Sequence, residues 1–209
     1  IFADSCSEVV LKKLTIDNAT TGTAVTMQSC SNCFIDASMI HDVGTGMSLA
    51  NCSNSLINNC LISTVTQGAN TRGIIIDGGS AIECNNCHVT QIAGSSTSTG
   101  FSIAGDDTVP VGCSVQGALH SPAISGVTAQ GFISQGGSNH KYVDCHVGNM
   151  SEEVMIGFAS AGVAGMYDRC TAIALLDTGS TTVAEAFSGQ SGALFKNCKG
   201  VNLTTSAGT

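Results

Sequence analysis

Residues 73–89 read GIIIDGGSAIECNNCHV, and residues 46–62, 27 positions earlier, read GMSLANCSNSLINNCLI. Aligned, Gly46 meets Gly73, Met47 meets Ile74, Ile57 meets Cys84 and Cys60 meets Cys87. Within each stretch apolar residues alternate with small or polar ones over four to six positions, the period of a strand. Turn formers such as GGS and NN separate these segments. Taken by itself, Cys84-Asn85-Asn86-Cys87-His88 is the C-x-x-C-H pattern of haem attachment. In the alignment it is one line of a repeat. Cys84 follows Leu11, Ile35 and Ile57 in register and precedes Tyr142, Tyr167 and Phe195, so both thiols are expected in a core, where free Cys acts as a small hydrophobe.

The repeat extends along most of the chain. Cys60, Cys87, Cys113, Cys145, Cys170 and Cys198 are separated by 27, 26, 32, 25 and 28 residues, and backwards the register falls on Ser38 and Leu14. An independent series, Gly46-Met47, Gly73-Ile74, Gly100-Phe101, Gly131-Phe132 and Gly157-Phe158, drifts in step, with Ala24-Val25 and Ala186-Phe187 at its ends. No stretch sustains a 3.6-residue amphipathic period. Each repeat is therefore two or three short strands without a crossover helix, and such a unit buries its inner face only by stacking on its neighbours. The expected fold is all-β: a right-handed parallel β-helix of about eight coils of 22–32 residues, forming a single domain over residues 1–209. A leucine-rich repeat is disfavoured, because no unit reads L-x-x-L-x-L.

These units resemble the parallel β-helix repeats of the pectin-lyase-like superfamily from about Cys6 to Val201. The resemblance implies architecture. It does not imply one activity, since that superfamily includes lyases, glycosidases, phage tailspikes, adhesins and non-catalytic shafts.

Composition narrows the function classes. A net charge of −8 with only 7 Lys and Arg leaves no basic stripe for nucleic acid. No apolar run is long enough to span a bilayer as a helix, so no membrane span is expected. The 11 cysteines cannot all pair with one another, and a chain of this size does not need dense disulfide stapling. The chain opens on Ile1 rather than Met, as a processed product or fragment would.

Several motifs carry residue types that occur in functional sites. Cys30 and Cys33 have the spacing of half a zinc ribbon, with Cys52, Cys60, Cys84 and Cys87 one or two coils away. Cys6, Cys30 and Cys52 share one register, however, so a second stacked column is the simpler expectation. Asp106-Asp107 resembles the aspartate pair of polygalacturonases, but the N-T-D, G-H-G and R-I-K motifs of that family are missing, which favours a polar turn. Glu152-Glu153 also reads as a solvated turn, and Asp17, Asp36, Asp42, Asp77 and Asp144 are expected on different coils and registers. TTGTAVT, STSTG and STTV are Thr-rich but do not repeat T-x-T in one register, as an ice-ordering face would require. The sequons at Asn18, Asn51, Asn149 and Asn202 matter only in a glycosylating host. No catalytic, cofactor-binding or metal-binding residue is assigned.

The strand pattern starts by Val9, GVNLTTSAGT begins another coil, and neither terminus shows a cap. Open ends of this kind add head to tail without closing. The expectation is a non-catalytic shaft or subunit of an extracellular fibre, adhesin or appendage, on a cell or virion surface, stacking end to end. The alternatives are a carbohydrate-active β-helix, a lyase, glycosidase or tailspike depolymerase, or a passive glycan-binding face. Polysaccharide is then the partner.

Overall fold

A computed structural model of the chain describes residues 1–18, 22–65, 70–117, 128–152, 154–161, 165–177, 183–189 and 192–204. Among these residues there are strands, turns and bends, and no helix. All the strand pairs are parallel and each joins one repeat to the next, which makes a β-solenoid.

Each coil contributes to two sheets. The narrow sheet stacks eight strands in chain order: Thr15–Asp17, Met39–Val43, Leu61–Val65, His88–Ile92, Ser114–Gln116, His146–Glu152, Thr171–Asp177 and Lys199–Thr204. The wide sheet has fourteen strands. In most coils it holds two separate runs, such as Thr128–Ser134 and His140–Val143, but Thr45–Asn58 and Asn70–Asn85 pass around the corner unbroken and join both runs into one sheet. The first and last of the eight rungs have a neighbour on one side only, and about six turns are fully stacked, slightly fewer than the eight coils expected.

The register places the cysteine series in one column. His88 N donates to Cys60 O at 2.8 Å, Ser114 N to Cys87 O at 3.0 Å, His146 N to Cys113 O at 2.9 Å, Thr171 N to Cys145 O at 2.9 Å and Lys199 N to Cys170 O at 3.0 Å. Leu61 N to Ser38 O and Met39 N to Leu14 O, both near 2.9 Å, continue it downwards. The residue before each rung turns the corner in the left-handed region. Lys13, Ala37, Asn59, Asn86, Gly112, Asp144, Arg169 and Asn197 have φ from 48° to 62°. Asn, Asp and Gly tolerate that conformation best, which accounts for the recurring NNC and VDC spellings.

Two further columns fill the interior. Val25, Met47, Ile74, Phe101, Phe132, Phe158 and Phe187 stand in register, and the four phenyl rings stack at centroid spacings of 4.6, 5.1 and 5.2 Å. Tyr142, Tyr167 and Phe195 form a second stack at 4.7 Å per step and meet the first edge-on, as between Phe132 and Tyr142. Spacings of this size suit aromatic pairs and match the rise of one coil.

The glycine series has a packing cause. A Cβ on Gly73, Gly100 or Gly131 would collide with Val89, Val115 or Val147 of the narrow sheet, and on Gly46 with Ile62. Along this line the wide sheet packs directly against the narrow one, and only glycine leaves room.

Candidate functional site

Cys84 and Cys87 both have 0% exposure, and His88 points outward with Nδ1 2.8 Å from Ser114 Oγ. Thioether attachment needs accessible thiols, so these two belong to the core.

The eleven cysteines sort into columns. Cys6, Cys30 and Cys52 form one, joined by Ser31 N to Cys6 O at 2.9 Å and Ser53 N to Cys30 O at 3.0 Å; Gly79 follows them in register. Cys33 stands in a different column, between Val9 and Ser55, and Cys60 begins the long column. All eleven thiols are free. Burial pushes the Cys84 and Cys145 thiols up, while hydrogen bonds from the neighbouring Cys145 and Cys87 thiols pull Cys113 down.

The carboxylates act between coils. Asp106 Oδ1 accepts from Ser138 Oγ at 2.8 Å and Asp107 Oδ1 from Asn139 Nδ2 at 3.0 Å, each one coil on. Asp36 Oδ1 accepts from Asn58 Nδ2 at 2.8 Å, and Asp144 receives Arg169 in a two-pronged pair at 2.7 and 2.8 Å. That guanidinium holds the Asp144 carboxyl below its usual value and also reaches Asp168 at 3.0 Å. Asp107 has φ +48° at a corner, so the polar turn expected at Asp106-Asp107 is a coil-to-coil clamp.

Beneath that clamp lies His140, 1% exposed. Its Nε2 donates to Gly105 O at 2.6 Å, and its Nδ1 is buried without a hydrogen-bond partner. Burial pushes the imidazole down; the Gly105 bond and the nearby Asp106 and Asp107 oppose that. Beside it is an open hollow of about 290 Å³ lined by Asn139, His140, Lys141, Gly165, Met166 and Leu194. Sequence reasoning stopped at the two aspartates, because the coil between Cys113 and Cys145 is the longest and hides the match of Asp106 to Ser138.

Asp17 and Asp42 stand on different coils and in different registers, as expected, since Asp17 pairs with His41. Both nevertheless reach His41: Nδ1 is 3.1 Å from Asp17 Oδ1 and 3.5 Å from Asp42 Oδ2. Among the described residues this is the one trio of His, Cys, Asp or Glu whose ligand atoms all lie within 4.8 Å. The signal was available: Asp17 and His41 each lie three residues past the rungs Leu14 and Ser38. Asp36 and Asp144 do stand apart from this trio, on other corners. Glu153 lies outside the described residues, as does the side chain of Glu152. Among the described residues the Thr-rich segments form no rank, since Thr23 and Thr45 are followed in their column by Arg72 and then Thr99 and Gln130; most of STTV lies outside the described residues.

Searches of family models, curated proteins and solved structures return no match to this chain. No helix among the described residues is long and apolar enough to cross a membrane.

Proposed function

We propose that this chain is a non-catalytic structural module, a shaft segment of a surface fibre, adhesin or appendage built like the shafts of the pectin-lyase-like superfamily. One observation carries the reading. Asp36, Asp106, Asp107 and Asp144 each spend a carboxylate oxygen on a side chain of the next coil, as rungs of the stack. Proton chemistry on a glycan needs carboxylates that converge on an open substrate face.

The first coil adds support. Its strands Phe2–Asp4, Val10–Lys12 and Thr15–Asp17 each pair on one side only, and Phe2 (68%) and Val10 (59%) are exposed. A strand edge with apolar side chains is a template for further pairing. This edge suits a second copy stacked head to tail. Electron microscopy of the purified chain tests this: end-to-end filaments are expected, and monodisperse particles at high concentration would contradict head-to-tail stacking.

The second reading, a carbohydrate-active or glycan-binding face, is favoured by the hollow lined by Lys141 and by Asn139, whose amide holds Asp107. A screen of polysaccharides separates the two. Cleavage that disappears in Asp106→Asn/Asp107→Asn, with the fold intact, would overturn the structural reading.

A further inference from the structure

The second run of the wide sheet turns a column of side chains outward. Below Val109 in this column stand Glu83, Leu56 and Phe34 on successive coils, and above it Lys141, Met166 and Leu194. Val10 extends the column one coil further down. From Val10 to Leu194 it measures about 34 Å at the inter-strand spacing of a sheet. Apart from Glu83 and Lys141 its members are apolar, yet they face solvent. Val10 is 59% and Leu194 55% exposed, and the others are half-buried. An apolar strip of this length on a surface marks an interaction site. Its two charged residues are exposed and stand one coil on either side of Val109. Among the described residues neither has an ion-pair partner in its own chain.

The order of residues about Val109 selects the partner. A second copy can face this strip with its coils running the opposite way, related by a two-fold axis that passes Val109 along the strand direction. Each residue below Val109 then meets the one equally far above it. Glu83 faces the partner's Lys141, Leu56 the partner's Met166 and Phe34 the partner's Leu194. Val109 meets its own copy, and every other contact occurs twice, as an isologous interface requires. The hollow of about 290 Å³ lined by Lys141, Met166 and Leu194 lies opposite the partner's Leu56 and Phe34, which fill it. The next outward column obeys the same rule: Asp36 stands three coils below Val111 and Lys196 three above, so Asp36 meets the partner's Lys196. Other placements fail. With both copies running the same way, Glu83 meets Glu83 and Lys141 meets Lys141, and like charges directly opposite are destabilising. Moving the antiparallel axis by one coil restores one of those clashes. Moving it by half a coil buries both charges against apolar residues.

We infer that this strip is the interface of an antiparallel homodimer, two solenoids lying flank to flank with Val109 at the two-fold axis. The apolar pairs supply the attraction, and the Glu83–Lys141 pairs fix direction and register. The pairing goes beyond the shaft reading and does not depend on end-to-end stacking. Stacking uses the strand edges of the first and last coils, whereas this contact uses the flank, so both can occur in one assembly.

The test is sedimentation of the native chain, Glu83→Lys, Lys141→Glu and the double variant over a concentration series at low ionic strength. The native chain is expected to dimerise, and each single reversal to raise the dissociation constant about tenfold or more. The double variant should return to the native value, and an equimolar mixture of the two single variants should form a heterodimer. The two reversals move the net charge in opposite directions, so a loss in both cannot come from overall charge. Leu194→Asp, opposite the partner's Phe34, should weaken the dimer as well and keeps the test decisive if either reversal disturbs folding. The proposal is overturned by a native chain that stays monomeric at every concentration. It is also overturned by equal association of all four chains, or by a double variant no better than the singles. Electron micrographs read end-to-end assembly separately. Filaments of single width, unchanged by the reversals, would overturn the flank pairing, whereas dimers without filaments would uphold it and count against stacking alone.

Discussion

Nε2 of His140 donates a 2.6 Å hydrogen bond to the carbonyl of Gly105, 35 residues back and one coil below, while Nδ1 stays buried and unpaired. The imidazole is therefore held neutral in the fold, and burial pushes its pKa below the ordinary histidine value. In the unfolded chain it takes up a proton near pH 6.5. Stability from the neutral ring is thus fully present above that pH and is lost as pH falls below it, because the unfolded state then binds the proton first. The urea midpoint is expected to drop between pH 7.5 and 5. His146, also pushed down by burial, adds to the slope, so the decisive quantity is the difference between the native chain and His140→Gln. Equal slopes for the two would show that His140 plays no part.

The glycine column gives a packing prediction. A methyl on Gly100 would fall 2.7 Å from Gly131 O and closer still to Val115. Gly100→Ala should cost about 1–3 kcal/mol by overpacking, read from chemical denaturation. Val115→Ala creates space at the same contact, so the double variant should be less destabilised than the sum of the singles. Strict additivity would mean that the two sheets do not meet at this pair.

Much of this packing was legible from spacing alone. Columns starting from Cys60 and from Gly46 could be drawn because identical residue types recur once per coil, and stacking turns sequence period directly into contact. What recurs with a different residue type was harder to see. His41 meets Asp17, and Asp106 meets Ser138, across positions that share register but not chemistry. The joining of both wide-sheet runs into one sheet was not visible either, because Thr45–Asn58 and Asn70–Asn85 contain the same turn formers as coils that do break.

Corner conformation predicts a substitution pattern at Asn86, where φ is +50°. A β-branched residue is poorly accommodated there, and Asn86→Val should lose about 1–2 kcal/mol. Asn86→Gly meets no steric barrier and should stay close to the native stability, since its main cost lies in the freer unfolded chain. Thermal unfolding of both variants checks this; a glycine variant as weak as the valine variant would place the cause in the lost Asn side chain.

The phenyl stack should show how the solenoid shares its stability. Phe132 is fully buried between Phe101 and Phe158 and touches Tyr142 edge-on, so Phe132→Ala removes contacts to three rings at once. A loss of about 3–5 kcal/mol is expected. In a stack where each coil contacts mainly its neighbours, that loss should be felt locally. Amide hydrogen exchange should therefore quicken in Thr97–Ile103 and Val154–Ser160, which pair with Thr128–Ser134 on either side. Exchange in Phe34–Asp36, several coils away, should change little. Uniform acceleration along the whole chain would show instead that the coils unfold as one cooperative unit.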